Sequence, residues 1–135
     1  MPTHVLIVDY SGLIRTSLRA LLGSVEGIET VREATSLSEA LASVQRDRPT
    51  LVILDLVLPD GLSTQIIKPL KQHSPTLQIA ILTLLAGPTY RERCLQLGAD
   101  WFFDKACETE DLLEVVRQHT AMNRLTHSNQ GNPDA

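Results

Sequence analysis

Short, wholly apolar runs that each end on a polar side chain recur along this chain, and they constrain the fold more than any other feature. Val5–Val8 run into Asp9, Leu51–Leu54 into Asp55 and Ile79–Leu82 into Thr83, while Trp101–Phe103 stop at Asp104 and Lys105. A run without apolar–polar alternation suits a strand covered on both faces. Ile28–Arg32 reads as one more strand. Between the runs lie amphipathic segments. Leu13, Ile14, Leu18, Leu21 and Leu22 recur at helical spacing before Gly23. Ser36, with Glu39 three residues on, makes a capping box ahead of Leu37, Ala40, Leu41 and Val44. A third helix is expected from about Ser63 to Gln72, kinked or broken early by Pro69, which lacks a backbone N–H. In "GPTYRERCLQLG" Pro88 suits a first turn and Gly98 a stop. Thr109 is expected to cap a last helix that turns Leu112, Leu113, Val115 and Val116 inward. Strict alternation of five strands with five helices implies an α/β domain with a parallel sheet covered on both faces and right-handed crossovers.

Composition narrows the function classes. The 135 residues are 43% hydrophobic and 21% charged, enough for one core, and aromatics at 4% make that core aliphatic. A net charge of -4 leaves no basic stripe to neutralise phosphates, so no direct nucleic-acid binding by this domain is expected. Cys94 and Cys107 are not in a CxxC arrangement; two reduced thiols are expected, with a disulfide as the alternative. No apolar run approaches the roughly 18 residues of a membrane span, and the first residues lack a signal-peptide pattern. A cytoplasmic protein that does not engage membranes is therefore expected.

In open α/β sheets ligands bind beyond the carboxyl ends of the strands. Asp9, Asp55, Thr83 and Lys105 occupy those ends and are expected to converge. Carboxylates suit Mg²⁺, which keeps several waters and adds phosphate oxygens. A hydroxyl and an ammonium can each donate to a phosphoryl oxygen, and aspartate is a known nucleophile toward phosphorus. The set suits phosphoryl transfer onto a carboxylate. His4, His73, His119 and His127 show no metal spacing and are expected in surface or capping roles, and Arg91, Glu92 and Arg93 on a solvated helix face.

These motifs resemble the response-regulator receiver domain of bacterial two-component signalling. "VLIVDY" is similar to the first strand with its acidic pair, "LVILDLVLPDG" to the phosphoacceptor strand and loop, "AILTL" to the strand bearing the switch hydroxyl, and "GADWFFDK" to the segment ending in the site lysine. The likeness covers about Thr3 to His119 in the right order. It implies a flavodoxin-like (βα)5 three-layer sandwich with strand order 2-1-3-4-5. It implies a receiver domain over residues 1–121, followed over 122–135 by a polar tail or the start of a linker. By position, Asp55 matches the residue phosphorylated by a histidine kinase or phosphotransfer protein, and Asp9 the first acid of the pair. The Val57 carbonyl matches a Mg²⁺ ligand beside Asp9 and Asp55, Thr83 the switch hydroxyl, Lys105 the phosphoryl-pairing ammonium, and Phe102 an aromatic that turns inward on activation. Phosphorylation would then rearrange the face made by the fourth helix, fifth strand and last helix. A downstream protein or an effector domain would read it, and homodimerisation is a family habit. Such a protein is a signalling phosphoacceptor rather than an enzyme.

Several positions depart from that pattern. Tyr10 stands where the second acid is usual, and a neutral phenol, with a pKa of about 10, is a poor Mg²⁺ ligand. A metal site weakened by at least roughly 10–100-fold is expected. Leu84 follows Thr83 where small residues are frequent, and is expected to crowd the pocket. Ala106 replaces a frequent proline, so a trans peptide is expected after Lys105. Asp104 is an unusual charge in that strand. An alternative is therefore a pseudo-receiver, an interaction module that signals independently of phosphorylation. A flavin protein on the same fold is a third class, disfavoured because "DYSGLIR" lacks a phosphate cradle and aromatics are scarce. Plainer readings make Asp9 a helix cap, Asp55 a turn acid, Lys105 a solvated lysine, Phe102 plain core and Tyr10 packing.

Overall fold

The computed structural model describes the backbone of residues 2–131 and side chains as far as Asn123. Its elements alternate without exception: β1 (Thr3–Val8), α1 (Gly12–Leu22), β2 (Ile28–Ala34), α2 (Leu37–Asp47), β3 (Leu51–Leu54), α3 (Ile67–His73), β4 (Gln78–Thr83), α4 (Pro88–Leu97), β5 (Trp101–Asp104) and α5 (Thr109–Gly131). A two-residue antiparallel ribbon pairs Val57–Leu58 with Gly61–Leu62 after β3. The five main strands pair in parallel in the order β2-β1-β3-β4-β5. This is the parallel α/β sheet expected from the alternation, in the flavodoxin-like order that the resemblance implies.

The apolar runs explain the three layers. Leu6, Val8, Val52, Leu54, Ile79, Ile81 and Phe102 point to one face, where Ala40, Val44, Ile67, Leu70 and Cys94 cover them. Val5, Ile7, Leu51, Ile53, Ala80, Leu82 and Phe103 point to the other, under Leu18, Leu22, Leu112, Leu113 and Val116. Successive residues of each central strand thus feed opposite cores, which is why the strands carry no polar alternation. Each large aliphatic chain so buried contributes about 1.5–3 kcal/mol from apolar transfer.

Local signals placed most boundaries, with four corrections. The capping box at Ser36 closes one residue early. Ser36 Oγ accepts from Glu39 N–H at 3.1 Å, but the Glu39 carboxylate accepts from the Thr35 N–H at 2.8 Å rather than from Ser36. The third helix is interrupted early, as expected, but at Ile66 and not at Pro69 itself. Ser63–Gln65 form a 3₁₀ turn, Ile66 at φ -113° separates it from the α-helix, and α3 starts at Ile67. Pro69 thereby falls in the first turn, where its missing N–H has no partner to lose. Thr109 is the first helical residue instead of the cap, because the Glu108 carbonyl accepts the Leu112 N–H at 3.1 Å. Finally, α5 continues past Ala121 to Gly131, so most of the segment read as a polar tail is helical; residues 132–135 lie outside the described residues. Gly98 ends α4 at φ 117°, a left-handed conformation that favours glycine.

Both cysteines are free, Cys94 buried and Cys107 exposed. No cis peptide bond occurs among the described residues. No helix among them is long and apolar enough to cross a membrane.

Candidate functional site

Strand register brings the four polar strand ends together. Val8 pairs with Leu54, so Asp9 and Asp55 follow side by side, and the Asp55 N–H donates to the Val8 carbonyl at 2.9 Å. Thr83 pairs with Asp104, and the Lys105 N–H donates to the Thr83 carbonyl at 2.9 Å. The Lys105 ammonium bridges the two acids, with Nζ 2.6 Å from Asp9 Oδ2 and 2.8 Å from Asp55 Oδ2. All three side chains are largely withdrawn from water. Burial by itself would lower the Lys105 pKa. The hydrogen bonds that the ammonium donates to Asp55 and Asp9, and the charges of those carboxylates, outweigh it and hold the ammonium above its ordinary value.

The two carboxylates are not equivalent. Asp9 Oδ1 accepts the Ser11 N–H at 2.9 Å, so both Asp9 oxygens are engaged. Ser11, not Asp9, caps α1, its Oγ accepting from Ile14 N–H at 3.3 Å. Asp55 is only 14% exposed at its side chain, and Oδ1 has no hydrogen-bond donor among the described residues. Thr83 is buried; its hydroxyl oxygen accepts the Leu85 N–H at 3.1 Å, and its own proton has no acceptor among the described residues. Two carboxylates against one ammonium leave one negative charge. The adjacent strand ends therefore offer a free carboxylate oxygen, a hydroxyl donor and an ammonium, and such a set suits an anionic group carried with a cation.

Mg²⁺ needs only one or two carboxylates and fills its other positions with water and phosphate oxygens. Asp55 Oδ1, which has no donor among the described residues, offers one such oxygen. No group of three or more His, Cys, Asp or Glu side chains among the described residues could hold a metal. One donor-free carboxylate oxygen fits an ion that takes its other ligands from water and phosphate oxygens.

Several atypical residues sit differently from expectation. Tyr10 is 69% exposed, so packing does not account for it. Leu84 is 71% exposed and projects into solvent instead of crowding the pocket. Asp104 forms the turn after β5, its Oδ1 accepting the Ala106 N–H at 2.8 Å and its carbonyl the Glu108 N–H at 2.8 Å. Phe102 is buried. Arg91, Glu92 and Arg93 are exposed, as expected, and Arg91 also reaches Phe102. Its guanidinium lies 5.8 Å from the Phe102 ring centroid, and Nη1 donates to the Phe102 carbonyl at 3.2 Å. His119 is buried and His4 half-buried, rather than at the surface, whereas the His127 side chain lies outside the described residues.

Three supporting residues escaped the sequence reading. Ser63, fully buried, donates its hydroxyl to the Asp55 carbonyl and ties the following loop to the strand end. Arg15 donates from Nη1 to the carbonyls of Asp9 and Tyr10 at 2.8 and 3.1 Å and from Nε to Glu33 at 2.8 Å, holding the β1–α1 turn against β2. Asp60 caps α2 from afar, accepting the Leu37 and Ser38 N–H groups at 2.8 and 3.1 Å. Those backbone donors, the Leu37 N–H foremost, hold its carboxyl below the usual range. Only Asp60 carried a signal, an acid inside turn chemistry, and nothing local revealed its distant partner.

The family model for the response regulator receiver domain matches residues 5–117. The chain is 25% identical over 114 residues to the response regulator GacA of Pseudomonas aeruginosa, covering 84% of this chain and 53% of that protein. It is 30% identical over 122 residues to the uncharacterized transcriptional regulatory protein YhcZ of Bacillus subtilis, covering 90% of this chain and 57% of that one. It thus spans little more than half the length of these curated relatives. Among solved structures, a CheY-like response regulator receiver domain protein from Methanospirillum hungatei superposes with a TM-score of 0.81 at 26% identity, over 93% of this chain and 99% of that chain. With the parallel sheet, the acid pair and the bridging lysine in place, the chain belongs to the response regulator receiver domain family of two-component signalling.

Proposed function

We propose that this domain accepts a phosphoryl group on Asp55 from a histidine kinase or phosphotransfer protein. The observation that carries this reading is the asymmetry of the acid pair. Asp9 has both oxygens engaged, whereas Asp55 keeps Oδ1 without a donor beside a bridging ammonium. Oδ1 attacks phosphorus, the P–N bond of the donor phosphohistidine breaks, and the leaving imidazole nitrogen keeps the electron pair. Lys105 then turns from bridging two carboxylates to neutralising a phosphoryl oxygen, and the Thr83 proton supplies a second donor. Asp9, Asp55 and the Val57 carbonyl would hold Mg²⁺, Asp9 through water because its oxygens are taken. When bound, the ion supplies charge neutralisation for the transferring group. Tyr10 removes one carboxylate from that set, so metal affinity is low.

Rearrangement at Thr83 and Lys105 shifts the population of states on the face made by α4, β5 and α5, which a downstream protein or an effector domain reads. The exposure of Tyr10 supports a second reading, an interaction module that works without phosphate. Intact-mass spectrometry after incubation with acetyl phosphate and Mg²⁺ separates the two. A phosphoryl adduct in the wild type that is absent in Asp55→Asn supports phosphoacceptance. No adduct at high Mg²⁺ in a folded protein contradicts it.

A further inference from the structure

A groove of about 900 Å³ lies at the amino end of the sheet, away from Asp55. The α2–β3 connection, the end of α3, the first residues of β4 and β5, and α5 form its walls. Small-molecule sites occupy roughly 300–1,000 Å³. Every ionisable side chain that lines the groove is a base: Arg48, His73 and His119. No described aspartate or glutamate lines it, although the chain carries 16 acids against 12 Lys and Arg. Asp47 and Asp100, the sequence neighbours of Arg48 and Trp101, are engaged elsewhere. Asp47 pairs with Arg46 at 3.0 Å, and Asp100 pairs with Lys71 at 2.8 Å and accepts the Ile79 N–H at 2.8 Å.

Arg48 itself is anomalous. It follows α2 at φ 48°, and no other non-glycine residue among those described has a positive φ. That left-handed position favours glycine, so an arginine there carries a backbone cost. Its exposed side chain makes no ion pair or hydrogen bond among the described residues. Compensation of the helix dipole does not require it, because Arg46 already stands in the last turn. The other open polar groups are donors as well. The Trp101 indole N–H and the Gln78 side-chain amide N–H groups have no acceptor among the described residues, the Gln78 oxygen being taken by His119. The half-buried Trp101 ring and Met122, 61% exposed, add apolar surface. An unpaired guanidinium, spare donors and an indole suit an anion carried on a flat apolar body.

We propose that this groove binds a small planar aromatic carboxylate, its carboxylate paired with Arg48 and its ring against Trp101 and Met122. Bound there, the ligand joins α5 to the α2–β3 connection and stabilises the folded chain by mass action. The site is separate from Asp55 and does not depend on phosphoryl transfer.

The test titrates naphthalene-2-carboxylate into the ¹⁵N-labelled protein, with naphthalene-2-carboxamide as the control for charge and cyclohexanecarboxylate as the control for the ring. The aromatic carboxylate is expected to shift the Trp101 indole resonance and the amides of Arg48, Gln118 and Met122, and to leave those of Asp9 and Asp55 in place. Each control ligand is expected to bind about tenfold more weakly, and so is the aromatic carboxylate to Arg48→Gln. Arg48→Gly is expected to lose binding by the same factor while its urea midpoint holds or rises, because glycine relieves the left-handed backbone. A lost contact is thereby told apart from a damaged fold. Equal affinity for the carboxylate and the carboxamide, wild-type binding by either Arg48 variant, shifts confined to the carboxyl end of the sheet, or no shift at millimolar ligand overturns the proposal.

Discussion

At the amino end of the sheet, His4, Thr30, Thr50, Gln78 and His119 are half-buried or buried and hydrogen-bond to one another, although the buried Thr120 hydroxyl beside them has no partner among the described residues. The His4 N–H donates to Thr50 Oγ1 at 3.1 Å, and His4 Nδ1 lies 2.7 Å from Thr30 Oγ1. His119 places Nε2 3.1 Å from Thr50 Oγ1 and Nδ1 on the Gln78 side-chain oxygen, which requires a proton on Nδ1. Burial pushes the His119 pKa down, with the Asp100 charge opposing. This network joins β1, β2, β4 and α5 through neutral hydrogen bonds. At the carboxyl end, Asp9 and Asp55 share one ammonium, and an oxygen and a hydroxyl proton are left over. A satisfied network holds a fold together; an unsatisfied one is held open by the fold and is available for chemistry. The amino-end network is a fastening and the carboxyl end is a site.

Substitution should divide along that line. Asp55→Asn is expected to abolish the acetyl-phosphate adduct completely, as read by intact mass. Lys105→Met should slow adduct formation by about 10²–10³-fold, the usual cost of one preorganised charge-stabilising donor, in a time course at saturating Mg²⁺. Adduct formation by Lys105→Met at the wild-type rate would break the comparison. At the other end, His119→Leu should lower stability by about 1–3 kcal/mol, because Gln78 and Thr50 lose a buried partner. That loss is read as a urea midpoint, and the adduct should form as in the wild type.

The smallest effect is one of pH. The His119 pKa is depressed in the fold, so below about 6.5 the unfolded chain binds a proton that the folded chain refuses. Stability attributable to His119 is complete above that pH and declines as pH falls toward the folded value. The wild-type urea midpoint should therefore drop between pH 7.5 and pH 5.5 by more than that of His119→Leu. Parallel declines would remove His119 from the account.

The contrast also explains what could be read from the chain. Asp9, Asp55, Thr83 and Lys105 were legible because each closes an apolar run, and a parallel sheet sends all such closures to one end. The amino-end network was not, since His4, Thr50 and His119 are separated by long stretches and meet only through register and the docking of α5. Ser63 looked like a helix start, yet its hydroxyl serves the Asp55 carbonyl. Pro69 was recognised as a breaker, but the side on which the chain breaks depends on the 3₁₀ turn before it. Trp101 is the chain's one tryptophan and its natural fluorescent reporter. It begins β5 at the amino end and lines a groove with His119 and Thr50, so it reports on the fastening rather than on metal.

The central claim is that a working carboxylate site has been left short of metal affinity by one residue. Its most direct test is a Mg²⁺ titration of acetyl-phosphate adduct formation, by intact mass, in the wild type and in Tyr10→Asp. The account predicts an adduct in both, with the Mg²⁺ concentration for half-maximal rate lower in Tyr10→Asp by about tenfold or more. Identical Mg²⁺ dependence in the two proteins, or no adduct in either at saturating Mg²⁺, would contradict it.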